Sequence, residues 1–167
     1  MPFALDASAA LGLSLRPATD ADLPFLSALY GSTRANELAT TGWPEATKAL
    51  FVVQQFSGQH GEYLQRFPEL ERCIIEAGGS AIGRIYVNLT GATCHLVDIS
   101  MMPEFRGCGR GTALIADLMA HAARATKPVT LSVLASNPAA RLYARMRFRF
   151  TEKTDAYSKM KWTPPRA

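Results

Sequence analysis

The sequence predicts one α/β (α+β) domain, with strands and helices interleaved around a single sheet. Three observations carry this expectation. The chain has 167 residues, 48% of them hydrophobic, which suits one globular domain with an ordinary core. Its apolar residues switch between the period-two spacing of strands and the i, i+3, i+4 spacing of helices. Residues 97–115, VDISMMPEFRGCGRGTALI, run from an apolar strand through Pro103 into a glycine-rich loop and on into a helical pattern.

Each element has its own signal. Leu13 to Arg16 alternates as a first strand. Thr19-Asp20-Ala21-Asp22 is an N-cap with acids in the first turn, and Leu23, Phe25, Leu26, Leu29 and Tyr30 mark a helix ending near Gly31. Pro44 opens a second helix through Ala49, Leu50, Val53 and Phe56, closed by Gly58; His60 to Pro68 reads as irregular or a short helical turn. Arg72–Ala77 and Ala81–Leu89 are strands on either side of Gly78-Gly79, a hairpin signal. Thr93–Met101 is the next strand. Gly109–Thr126 is a helix with Leu114, Ile115, Leu118, Met119 and Ala122 inward. Val129–Leu134 is continuous and β-rich, as a buried parallel strand would be. Asn137–Met146 is a short helix, followed by strands near Phe148–Lys153 and Ala156–Trp162, and the tail at Pro164-Pro165 should be loose. One domain spans 1–167, with its core at about 13–163, and no repeat or linker interrupts it.

Composition narrows the class. The longest apolar run falls far short of the roughly 20 residues that cross a bilayer, so no membrane role is expected. The N-terminus lacks a basic n-region and carries Asp6, unlike a signal peptide. Three cysteines (73, 94 and 108) show no metal spacing and an odd count, which points to a reduced, cytoplasmic protein without a metal. A net charge of +4 is modest: it would favour an anionic cofactor or a nucleic acid, but basicity this mild is more often surface composition. Clustered Lys and Arg interleaved with stacking aromatics are missing, which argues against a nucleic-acid module.

The glycine loop carries the chemistry. Glycines at 107, 109 and 111 let successive backbone N–H groups crowd around an anion at a helix start, where orphan donors and the helix dipole converge. Arg106 and Arg110 add charge, so the natural ligand is a diphosphate. The dinucleotide fingerprint fails because the third glycine comes one residue too soon and TKPVTLSVLA (126–135) offers no acid. The Walker loop fails for want of a lysine. What fits is R-x-x-G-x-G (Arg106, Gly109, Gly111) after a strand ending Met101-Met102-Pro103, with Asn137 to Tyr143 (NPAARLY) downstream. In these two motifs and their order the chain resembles the GNAT superfamily of acetyl-CoA-dependent N-acetyltransferases.

The resemblance covers the chain end to end in the order β-α-α-β-β-β-α-β-α-β-β. It implies a central mixed, largely antiparallel, twisted sheet of about six to seven strands flanked by about four helices, splayed between the fourth and fifth strands. Acetyl-CoA would be wedged at the splay, below the glycine loop. Ile99, Ser100 and Met101 would offer main-chain groups to the pantetheine arm and thioester, with the Met101 N–H as oxyanion donor. Gly107, Cys108, Gly109, Arg110, Gly111 and Thr112 would hold the pyrophosphate with Arg106. Cys108 sits at a helix start, a place where a nucleophilic thiol would be considered, but the family's amine attacks the thioester directly. Tyr143 would be the general acid for the departing thiolate. Asn137 would bond the cofactor arm or cap the helix, and Arg141 would touch the cofactor.

The attacking amine must lose a proton. Asp98 is an isolated charge in an apolar strand, expected on the side of Leu96 and Ser100. It reads either as the substrate-facing base or as half of a structural salt bridge. His95, expected on the opposite face, is the runner-up, or else a strand-end residue in solvent. Family members that place a Glu on the fifth strand find Ser132 here. Arg147-Phe148 stands where relatives carry Gly-Phe; a left-handed Arg there costs about 1 kcal/mol. Trp43, Glu45, Gln54, Gln55, Glu62 and Tyr63 lie where the fold walls the acceptor cleft, and aromatics with acids suit a cationic amine.

The function expected is therefore acetyl transfer to a primary amine of a small molecule, peptide or protein. The alternative is a non-catalytic acyl-CoA-binding domain of the same fold. A homodimer through the late strands would follow family habit.

Overall fold

Alternating apolar residues build the sheet, and its helices pack from two sides. The computed structural model describes residues 2–165, which form β1 (Leu13–Pro17), α1 (Leu23–Ala39), α2 (Glu45–Arg66), β2 (Glu71–Ala77), β3 (Ser80–Asn88), β4 (Cys94–Met101), α3 (Arg110–Arg124), β5 (Val129–Leu134), α4 (Ala139–Arg145), β6 (Arg149–Lys153) and β7 (Tyr157–Trp162). This is the element order expected. The seven strands lie in the order β1-β2-β3-β4-β5-β7-β6, antiparallel everywhere except β4–β5. That parallel pair holds register only at Cys94↔Val129, His95↔Thr130 and Leu96↔Leu131, after which the strands part. The sheet is splayed between its fourth and fifth strands.

On one face, Leu114, Ile115, Leu118 and Ala122 of α3 pack with Tyr143 of α4 on Ile85, Val87, Leu96, Val129, Leu131 and Met160. On the other, Leu26, Tyr30 and Phe56 of α1 and α2 cover Ile74. No helix among the described residues is long and apolar enough to cross a membrane.

Both early helices outrun their expected ends. α1 passes through Gly31 because that glycine serves close approach: a Cβ there would lie 3.1 Å from Cγ1 of Val52 on α2. α2 continues through Gly58 and Gly61 to Arg66, so His60–Arg66 is helical rather than irregular. A glycine costs a helix roughly 1 kcal/mol, less than the turns that follow return by packing. Leu50 and Val53 face solvent, and Phe56 is the buried anchor of α2. Leu134 is also exposed, so β5 alternates and is not buried on both faces.

β4 breaks the simple alternation. The register passes from Tyr86↔Asp98 to Val87↔Leu96, which leaves Val97 as an unpaired extra residue. Such a bulge inverts the alternation. Leu96 and Met101 thus both join the core under α3, while Asp98 and Ser100 share the opposite face with His95. Asp98 does not lie on the side of Leu96.

Arg147 takes φ 68° after α4, as its place implied, with its N–H bonded to the Ala144 carbonyl and the Phe148 N–H to the Tyr143 carbonyl. This is the Schellman closure that ordinarily favours glycine.

Asp117 of α3 ties down the N-terminal segment. It is 3% exposed, and its carboxylate accepts from the N–H groups of Asp6 (3.1 Å), Ala7 (2.8 Å) and Ser8 (3.0 Å) and from the Ser8 hydroxyl. Burial alone would raise its pKa, but the Ser8, Ala7 and Asp6 hydrogen bonds outweigh burial and hold it below the ordinary value. The folded pKa lies below the unfolded one, so this stabilisation is present at neutral pH and fades as pH falls below about 4. Asp117→Ala should cost about 3 kcal/mol in urea unfolding at pH 7, with the gap narrowing towards pH 3. A difference independent of pH would contradict the ionised role.

Candidate active site

Where β4 and β5 part, main-chain groups lose their partners. The Met102 N–H donates to the Ile82 carbonyl (2.8 Å), so Met101↔Gly83 is a non-hydrogen-bonded pair. By the antiparallel alternation Ile99↔Ile85 is another, and the N–H and C=O of Ile99 and Met101 point away from β3, into the splay. The Met101 carbonyl accepts from Arg106 Nε at 2.7 Å, and Arg106 Nη2 donates to the Ser32 hydroxyl at 2.9 Å. Arg106 thereby buckles the strand end to the loop and to α1.

The loop folds as a helix start. Gly107 and Gly109 sit at φ 76° and 80°, a region only glycine enters freely, and Gly109 is the N-cap of α3. No side chain caps this helix, which leaves the N–H groups of Arg110, Gly111 and Thr112 directed outward. Arg110 lies over the Phe105 ring and donates to Cys108 Sγ at 2.7 Å, while the Cys108 thiol donates to the Phe105 carbonyl. This set fits a diphosphate.

The splay opens a cavity of about 400 Å³, reached by Ile99 and Ser100 of β4, Ser132 of β5, and Asn137 and Tyr143 beside α4. Asn137 Oδ1 accepts from the Ala139 N–H at 2.9 Å, so this residue, just ahead of the Pro138 N-cap, satisfies the first N–H of α4 while facing the cavity. Tyr143 is 7% exposed, and its ring packs tilted on Phe148. Burial, aided by the charge of Asp98, pushes its phenol up to about 12, so it stays protonated. Arg141 is exposed on α4 and does not reach the cavity.

Opposite Tyr143 lies a polar cluster only half foreseen. Arg84 of β3 is 3% exposed and meets Asp98 through Nη2 (2.9 Å to Oδ2) and Nε (3.3 Å to Oδ1), with a third contact to Gln59 of α2 at 2.7 Å. The Tyr63 hydroxyl donates to Asp98 Oδ2 at 3.0 Å. Asp98 is thus paired with Arg84 and at the same time lines the cavity. Burial and the Asp98 charge push Tyr63 up, so it remains a donor.

His95 is not in open solvent. Its ring stacks on Phe67 at 5.5 Å, and its Nδ1 lies 2.9 Å from the Thr130 hydroxyl. Thr130 in turn donates to Thr93 Oγ1 at 3.4 Å, an arrangement compatible with the tautomer in which Nδ1–H donates to Thr130 and Nε2 carries no proton. Burial, then the charge of Arg66, lowers the pKa below the ordinary value and keeps the ring neutral at pH 7.

Of the expected acceptor residues, only Tyr63 reaches the cavity. Trp43 packs edge-on to Phe51 and Glu45 pairs with Lys48, while the unbroken α2 turns Gln54, Gln55 and Glu62 elsewhere. In their place stand Gln59, Arg66, Phe67 and Arg84. One signal for Arg84 was available: a lone charge in the apolar run AIGRIYV, matching the lone Asp98 in LVDIS.

The sequence matches the Acetyltransferase (GNAT) family over residues 35–148. No curated protein matches it. Among solved structures, it is similar to PaiA N-acetyltransferase from Thermoplasma acidophilum in complex with coenzyme A (13% identity, 90% of this chain and 98% of that chain, TM-score 0.66). It is similar also to an acetyltransferase from Thermus thermophilus (17%, 90% and 96%, 0.65). A third is RimL, a ribosomal alpha-N-protein acetyltransferase, in complex with coenzyme A (18%, 92% and 94%, 0.60). At these identities the likeness is one of fold.

The Arg84–Asp98 pair makes a stability prediction. Arg84→Met should cost about 3–5 kcal/mol by leaving a buried carboxylate unpaired, whereas Arg84→Met with Asp98→Leu should recover most of it. Additive losses in a double-mutant cycle would show that the two charges are not coupled.

Proposed function

The chain belongs to the Acetyltransferase (GNAT) family, and we propose that it moves an acetyl group from acetyl-CoA to a primary amine by direct attack on the thioester. The observation that carries this reading is the parting of β4 from β5, which turns the main-chain groups of Ile99 and the N–H of Met101 away from β3. The protonated phenol of Tyr143 lines the cavity at the splay, and the uncapped helix start at Arg110 to Thr112 follows β4 in the chain.

In this reading the loop from Gly107 to Thr112 takes the diphosphate, with Arg110 beside it and Arg106 holding the loop to Met101. Ile99, Ser100 and Asn137 line the pantetheine arm. The amine nitrogen bonds to the thioester carbon, and the Met101 N–H stabilises the oxyanion. When the C–S bond breaks, Tyr143 protonates the thiolate.

For the proton lost by the amine, the geometry favours His95 over Asp98. Asp98 is already engaged by the Arg84 guanidinium and the Tyr63 phenol, whereas burial keeps the His95 ring neutral and, with Nδ1–H on Thr130, its Nε2 is the atom that takes the proton. Asp98 positions Tyr63 and Arg84 at the acceptor end. The acyl-CoA-binding alternative lacks any comparable use for Tyr143 and His95 together.

Release of free thiol from acetyl-CoA across a panel of amines tests the reaction. The rate should rise with pH through an apparent pKa below 6.5, where His95 loses its proton, and hold level into the alkaline range because Tyr143 stays protonated. His95→Gln should lower kcat by about 10²-fold or more and flatten that rise; a rise flattened by Asp98→Asn instead would return the base to Asp98. Tyr143→Phe should lower turnover by about 10²-fold with acetyl-CoA affinity intact. An unchanged rate would make Tyr143 a packing residue.

A further inference from the structure

The helices leave part of the sheet bare. α1 and α2 cover β2 to β4, but on the same side β5, β7 and β6 present their alternate residues to solvent. Register places Lys161 opposite Thr130, Lys159 opposite Ser132, Tyr157 opposite Leu134, and Arg149 opposite Lys161. Ser132, Leu134, Lys159, Lys161 and Arg149 are exposed, while the intervening Val129, Leu131, Val133, Met160 and Trp162 are buried under α3 and α4. Thr130 shares a face with His95, which it touches. The bare face is therefore continuous with the cavity, whose lining includes Arg66, His95, Ser132, Leu134 and Tyr157.

This face is basic in an unusual way. Arg149 and Lys161 are directly opposed across β6 and β7, a like-charge pairing that destabilises a sheet. Among the described residues neither has a carboxylate partner, and nor has Arg66 at the cavity mouth. Glu152 neutralises only Lys159, at 2.7 Å. With Lys159 paired to Glu152, Arg149 and Lys161 are the cations of the bare face left without a carboxylate among the described residues, and Arg66 at the cavity mouth adds a third.

We propose that this uncovered face of β5, β7 and β6 docks an acidic polypeptide, whose amine enters the cavity past Arg66 and Tyr157. The inference rests on the acetyl-transfer reading and names its acceptor class. Three strands span about 10 Å, beyond the reach of a small amine seated in the cavity, so only an acceptor extending outward gains from Arg149 and Lys161. A polypeptide also supplies the primary aliphatic amine that an unmodified nucleic acid lacks.

The test compares two peptides with free N-terminal amines, one followed by a run of glutamates and one by a run of lysines. The acidic peptide should show kcat/KM higher by at least about tenfold at low salt, an advantage lost as screening shortens the field. Arg149→Glu with Lys161→Glu should erase or reverse the preference, with the melting temperature and acetyl-CoA affinity as the check that the variant is folded and loaded. Equal use of both peptides, or a preference unmoved by the double variant, would overturn the docking surface. So would inhibition by an oligonucleotide stronger than that by the acidic peptide at matched charge. Failure to acetylate either peptide or any small amine would instead remove the acetyl-transfer reading itself.

Discussion

The parting of β4 from β5 is the constraint around which the rest of the site is arranged. Two adjacent parallel strands ordinarily satisfy each other's main-chain groups, and to stop after Leu96 and Leu131 leaves polar backbone exposed inside the domain. The structure keeps that gap open by local means. The Val97 bulge turns β4 and re-aims the residues beyond it. Tyr143 and Asn137 wedge α4 against the opening, and Arg106 takes the Met101 carbonyl. A site that wants a linear thioester held by backbone groups needs such a gap, and the same backbone contacts leave the side chains of β4 free for other work.

That other work is electrostatic. The bulge brings His95, Asp98 and Ser100 to one face, where the buried Arg84 neutralises Asp98 and α2 contributes Tyr63 and Gln59. The result divides the cavity into a wall with a buried phenol, at Tyr143, and a wall with a neutral imidazole, at His95. Under the proposed mechanism these are the acid and the base, and burial raises the pKa of the one and lowers that of the other.

Much of this was legible in the chain before folding. The element order, the hairpin at Gly78-Gly79 and the inward face of α3 follow from periodicity and turn chemistry, because each is decided within a few residues. The loop was legible for the same reason. What escaped was decided by contacts distant in sequence. Gly31 and Gly58 look like stops, but Gly31 lets α1 approach Val52, and α2 runs on past Gly58 and so carries Gln59, Tyr63 and Arg66 to the cavity. Asp98 was recognised as costly, but its partner and its face depended on the register with β3 and on one extra residue at Val97. Alternation arguments fail at a bulge, and bulges are common beside active sites.

The central claim is that the free main-chain groups of the splay receive acetyl-CoA, and amide hydrogen exchange tests it at the atoms concerned. In the unliganded protein the Ile99 and Met101 amides should exchange readily, while that of Met102, bonded to Ile82, is slow. With acetyl-CoA at about 100 times its dissociation constant, Ile99, Met101 and Arg110 to Thr112 should slow together, by up to about 100-fold. Saturating acetyl-CoA that leaves these five amides unchanged would contradict the account.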